Sequence, residues 1–82
     1  MTIRVAENGA IFLEGECSGE DAEALLRHLL ANSKTPVDWR ACETAHTAVV
    51  QVLLAAKPTL IGPPAGIHLR KWVQPLITHE PG

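Results

Sequence analysis

The chain has 82 residues, 46% of them hydrophobic and 20% charged, with a formal charge of −2 at pH 7. That length and balance describe one folded domain, residues 1–82, and exclude a disordered chain. Seven basic against nine acidic residues in no long run, with one Phe, two Trp and no Tyr, exclude a basic nucleic-acid surface and an aromatic platform for bases. The opening MTIRVAENG lacks the apolar core of a signal peptide, and no stretch approaches the roughly 20 apolar residues of a membrane span. A cytoplasmic chain without membrane insertion is the expectation. Cys17 and Cys42 stand far apart and unpatterned, which in that compartment implies reduced thiols and not a disulfide.

Thr2 to Ala6 alternates, with Ile3 and Val5 on one face, and Asn8-Gly9 is a two-residue hairpin signal. Ala10 to Glu14 returns with Ile11 and Leu13 on one face and Phe12 on the other, so the chain opens on a β-hairpin. Ser18 is an N-cap candidate with Asp21 three residues on, and Glu20, Asp21 and Glu23 load the first turn with negative charge. Ala22, Leu25, Leu26, Leu29 and Leu30 form the stripe that this helix should bury, and Asn32 is its expected stop.

Pro36 introduces a short strand, Val37 to Trp39. Thr44 to Ala56 then contains no Gly or Pro, and Pro58 closes it. Ala45, Ala48, Val49, Val52, Leu53 and Ala56 share one side of that helix, and His46, Thr47, Val50, Gln51 and Leu54 share the other. A helix that only covers a sheet would place charge on its outer side, yet this one places two large aliphatics there. Thr59 to Ile61 reads as a further strand, Gly62-Pro63-Pro64 as a break, and about Ala65 to Gln74 as a last helix burying Leu69, Trp72 and Val73. Pro75 should end or kink it, and Thr78 to Gly82 should fray. The order β-β-α-β-α-β-α holds two successive strand–helix–strand crossovers. Both should be right-handed, which gives an α/β fold with a mixed four-stranded sheet and helices mainly on one face. The other face, around Phe12, is then open to a second copy of the chain as a weak homodimer.

The central residues resemble the STAS domain, the fold of the bacterial anti-sigma-factor antagonists. Val37-Asp38-Trp39 matches the family's strand ending in Asp and an apolar residue. Ala45-His46-Thr47-Ala48-Val49 falls at its helix-start signature, Val50, Leu53 and Leu54 match its apolar helix, and Leu60-Ile61-Gly62-Pro63 matches its next strand. The likeness is specific near residues 37–62. It implies a non-catalytic, cofactor-free module that binds a protein partner: an anti-sigma or kinase-like protein, or one of chemoreceptor type. Thr47 stands at the family's phospho-acceptor position, whose phosphorylation switches partner binding. His46 replaces the family Asp and Val49 the family Gly, and the chain is shorter than larger members. The Thr47-Ala48 pair is also similar to the small STAS subunit of bacterial phospholipid-trafficking ABC transporters, which binds an ATPase.

The partner-binding set is therefore His46, Thr47, Val50, Gln51, Leu54 and Trp39, with no catalytic, cofactor or metal residue. Thr47 has a plainer reading as a helix-start residue whose hydroxyl satisfies a backbone N–H. Against it stands a mechanism: a phosphate at a helix N-terminus meets unpaired N–H groups and the positive end of the dipole. A metal-dependent or nucleotide-binding enzyme is the competing class. Cys42 and His46 are four apart, but no third ligand stands at a usual spacing, since His28, His68 and His79 are scattered. Gly62-Pro63-Pro64-Ala65-Gly66 lacks the Lys-Ser/Thr of a phosphate loop, and its prolines remove N–H donors. Asp38 and Glu43 are a candidate carboxylate pair, but Asp38 is better placed to hydrogen-bond the turn that follows it.

Overall fold

Chain order in the computed structural model is β1 (Ile3–Val5), β2 (Ile11–Cys17), α1 (Gly19–Ala31), β3 (Val37–Ala45), α2 (Thr47–Ala56) and β4 (Leu60–Ile61). A π-helical turn, Leu69–Val73, then runs directly into α3, Gln74–Thr78. The structure describes residues 2–32 and 34–78. Of the tail expected to fray, residues 79–82 lie outside the described residues. The four strands form one sheet in the order β1-β2-β3-β4, β1 antiparallel to β2 and the other two pairs parallel. Inward strand residues Ile3, Ile11, Leu13, Cys17, Val37, Trp39 and Cys42 join Ala22, Leu25, Leu29, Val49, Leu53 and Leu69 in one buried cluster. All the helical segments therefore cover the same face. The α/β class and mixed four-stranded sheet match the expectation from pattern.

The hairpin is longer-looped than Asn8-Gly9 suggested. Ala6 N–H bonds Ala10 O at 2.8 Å, leaving Glu7-Asn8-Gly9 as the loop, and Gly9 takes φ 91°, a conformation that favours glycine. At α1 the Asp21 carboxylate reaches back to the Ser18 N–H at 2.8 Å, satisfying a donor the helix start leaves free. α1 buries Ala22, Leu25 and Leu29, while Leu26 and Leu30 stand 41% and 77% exposed. The expected stripe was too wide because α2, not a second sheet, packs beside α1. A neighbouring helix covers one narrow row.

The largest departure is β3. It runs nine residues, through the segment expected to be a turn and a helix start. Its partners shift from Phe12↔Asp38 to Glu14↔Ala41, and again from Gly15↔Cys42 to Glu16↔Thr44. Each shift inserts one extra residue into β3, a bulge that reverses which face the following residues occupy. Val37 and Trp39 point inward, and the first bulge turns Cys42 inward as well, although strict alternation would turn it out.

Trp39 is a correction to the partner-binding set: it is 1% exposed and belongs to the core. Its indole lies against Gly62, where any Cβ would collide with the ring. Trp72 is the opposite correction, expected in the core but 63% exposed, with the Lys71 ammonium 5.4 Å from its ring centroid. The π-helical turn causes this by rotating the chain so that Leu69 and Val73, not Trp72, face inward. Pro75, expected to end or kink the last helix, does not end it: it falls just after the π-helical turn, where the winding changes to that of α3.

Residues after β4 finish the sheet. β4 pairs only with Val37 and Asp38, and beyond it Gly66 N–H bonds Cys42 O at 3.0 Å, covering the free side of β3. A Cβ at Gly66 would run into the Glu43 backbone carbonyl. Gly66→Ala must therefore push the strand or the loop aside, and is expected to cost about 2–3 kcal/mol. Urea denaturation of the two proteins measures the difference, and a loss below 0.5 kcal/mol, on the scale of a surface change, would contradict this packing.

Candidate functional site

α2 is the centre of the candidate interface. Its sequence, Thr47-Ala48-Val49-Val50-Gln51-Val52-Leu53-Leu54-Ala55-Ala56, carries no charge on any face. Val49 and Leu53 enter the core, each stabilising the fold by about 1.5–3 kcal/mol relative to exposure. The other side stays at the surface: Thr47 and Gln51 are exposed, Val50 is half-buried, and Leu54 is 38% exposed. The expected helical phase holds for these residues, with α3 packed beside α2. Between α1 and α2 runs an open groove of about 310 Å³, lined by Ala22, Glu23, Leu26, Ala48, Gln51, Val52 and Ala55. Small alanines on both helices create it, since they cannot fill the space between two helix axes.

The helix begins three residues later than the pattern expected, because β3 continues to Ala45. His46 is its N-cap. Its Nδ1 accepts the Ala48 N–H at 3.0 Å, and its main-chain N–H bonds Cys17 O at 2.8 Å. Its ring stands close over Gly19, the first residue of α1. Thus the ends of the parallel strands β2 and β3 are tied together where both helices start. An accepting Nδ1 carries no proton, so in the neutral ring the proton sits on Nε2. Thr47 follows as the first helical residue, its side chain exposed.

Asp38 and Arg40 form a second polar feature, on the sheet's outer face. Asp38 Oδ1 accepts the Arg40 main-chain N–H at 3.0 Å, which pins the first bulge of β3. The Arg40 guanidinium covers the same carboxylate at 2.6–3.1 Å, leaving Asp38 buried beneath it. The turn that Asp38 is expected to bond is absent, because the strand continues past it; its carboxylate holds a bulge instead, and, committed to Arg40, it forms no pair with Glu43. One row of this outer face crosses all four strands as Arg4, Phe12, Asp38 and Ile61. Arg4 lies over the Phe12 ring, 4.3 Å to the centroid, and pairs with Glu14 at 3.1 Å. The face left open for a second copy is therefore laced with two ion pairs, and its apolar part in this row is reduced to Phe12 and Ile61.

Among the described residues no group of three or more His, Cys, Asp or Glu is placed to hold a metal ion. Cys42 is in the core and His46 at the surface, so the pair does not converge. No described helix is long and apolar enough to cross a membrane. What the sequence reading missed is the meeting of the two cysteines: Cys17 Sγ and Cys42 Sγ lie 3.7 Å apart, both buried. Their separation of 25 residues carries no signal, and only the bulge in β3 brings them face to face. No family model, curated protein or solved structure matches the chain.

Two outcomes follow from this geometry. His46→Ala removes the acceptor for Ala48 N–H and is expected to lower stability by about 1 kcal/mol, while His46→Asn restores most of it. Equal denaturation midpoints for parent and alanine variant would show that water replaces the cap. The Arg40 guanidinium, as hydrogen-bond partner, holds the Asp38 carboxyl below its usual range. A depressed folded-state pKa stabilises the fold above the unfolded value of about 3.9 and loses that contribution as pH falls through the lower folded value. Asp38→Asn is therefore expected to be less stable than the parent at pH 7, with the gap closing below about pH 4. Urea midpoints measured from pH 7 to pH 2 check it, and a constant gap would remove Asp38 from the acid response.

Proposed function

We propose that the chain is a non-catalytic protein-binding module of the kind its central stretch resembles, acting in a bacterial cytoplasmic regulatory system. The observation that carries this reading is the uncharged α2. Its outer side presents Thr47, Gln51 and Leu54 next to the groove shared with α1, where Leu26 is also exposed. An ordinary covering helix turns charge outward, and apolar groups held at a surface beside a groove suit a partner's side chains. His46, Thr47, Val50, Gln51 and Leu54 form the contact set, with Trp39 removed to the core. The partner class is an anti-sigma or kinase-like protein, one of chemoreceptor type, or the ATPase of a phospholipid-trafficking transporter.

Thr47 supplies the switch. A phosphate there sits at the start of α2, where negative charge is tolerated, yet it places nearly two charges at the edge of an uncharged contact surface. The partner would have to desolvate that charge without pairing it. Thr47→Glu is therefore expected to leave the fold as stable as the parent or better, by about 0.3–1 kcal/mol, while weakening partner affinity at least tenfold. Leu54→Glu, at a position already 38% exposed, is expected to keep the fold and weaken binding similarly.

Affinity capture from the native cytoplasm identifies the partner, and titration calorimetry of parent, Thr47→Glu and Leu54→Glu against it measures the losses. Unchanged affinity for both variants would place the contact elsewhere. Unchanged affinity for Thr47→Glu alone would make position 47 structural.

A further inference from the structure

The two thiols are placed to react with each other. Cys17 ends β2, and Cys42 lies on the adjacent strand β3, their sulfurs 3.7 Å apart in the core. A disulfide requires about 2.05 Å between sulfurs, and Cys42 pairs with Gly15 while Cys17 pairs with Ala45, so closing the bond requires the backbone of the two strands to move as well as the side chains to rotate. The backbone here is irregular on both strands. Gly15 takes φ 68° in β2, and the second bulge of β3 falls just after Cys42. Regular pairing would resist the shift, and this pairing is already broken at the required place.

We propose that Cys17 and Cys42 form a redox-active dithiol that closes to an intrachain disulfide by exchange with a low-molecular-weight disulfide of the glutathione class. Cys17 reacts first. Its sulfur lies 3.8 Å from Thr2 O, just ahead of the three-residue edge strand β1, and fraying of this N-terminal edge uncovers it. Edge strands of this length open at the low end of a protein's free-energy scale. The Cys17 thiolate attacks the external disulfide, breaking its S–S bond and releasing one small thiol. Cys42 then loses its proton and attacks the Cys17 sulfur of the mixed disulfide, expelling the second small thiol. The protein gives up two electrons and two protons, and these reduce one external disulfide to two thiols.

The mutual hydrogen bond favours that order. The contact between the two sulfurs lowers the pKa of the Cys17 thiol and, followed by burial, raises that of Cys42. A thiolate stabilised by its neighbour attacks, and the neighbour resolves. The closed bond would tie the root of α1 to the strand that leads into α2. This inference rests on the cysteine geometry alone and stands whether or not α2 binds a partner.

The test equilibrates the full chain with reduced and oxidised glutathione across their ratio, quenches with acid and digests with trypsin. The expected product joins the fragment of residues 5–27 to the fragment beginning at Ala41, and the intact monomer is lighter by two hydrogens. The Cys42→Ala variant is expected to stop at one glutathione on Cys17. Cys17→Ala is expected to react at least tenfold more slowly, its remaining thiol being fully buried. Circular dichroism verifies folding, with the serine replacements standing in for any alanine variant that fails to fold. A native chain that keeps both thiols free, carries two separate glutathiones or links into dimers overturns the bridge. Equal rates for the two single variants overturn the order.

Discussion

Everything in this fold depends on the parallel pairing of β2 with β3. The two strands supply Ile11, Leu13, Cys17, Val37, Trp39 and Cys42 to one buried cluster, nearly half of its members. They are unequal in length, seven residues against nine, and the difference is absorbed by two bulges. Without the first, Cys42 would point away from the helices and Ala41 would enter the core. Asp38 and Arg40 form an ion pair whose carboxylate is buried and whose guanidinium is exposed. Its main-chain component holds the bulge, and through the bulge it sets the facing of everything after residue 40.

That pairing also positions the surface. Because β2 and β3 end side by side, their two helices start side by side, joined by His46 through its main chain to Cys17 and by its ring over Gly19. α1 and α2 then run as neighbours with only alanines, Val52, Leu26, Glu23 and Gln51 along the seam. A groove results from small side chains on adjacent helices, and the absence of charge on α2 leaves its outer face uncharged. Core and candidate interface are two sides of one helix. A substitution on α2 must therefore be read by its depth: Val49 and Leu53 belong to stability, Thr47, Gln51 and Leu54 to the surface, and Val50 to both.

Local signals were legible wherever the cause is local. Asn8-Gly9 marked the hairpin, Ser18 with Asp21 marked the start of α1, Asn32 its end, and Pro58 lies just beyond the end of α2. Element order and the mixed sheet followed from these, since crossovers between parallel strands have one hand. At the candidate site, the outward placement of Thr47, Gln51 and Leu54 was also readable, because a 3.6-residue period fixes it within the helix.

Other features have causes that lie across the chain. Whether Thr44 and Ala45 are strand or helix is decided by partners on β2, Glu16 and Cys17, which no window around residue 45 contains. Trp39 is buried because Gly62, 23 positions on, leaves room for its ring. Trp72 is exposed because the last helix winds as a π turn, turning Leu69 and Val73 inward in its place. The cysteines meet because a bulge reverses the facing of Cys42. By itself the sequence determined the order of the elements, the start of α1 and the phase of α2, which are properties of neighbours along the chain. Strand length, bulge position and the contents of the core were decided by tertiary structure, because each depends on a residue that only folding brings near.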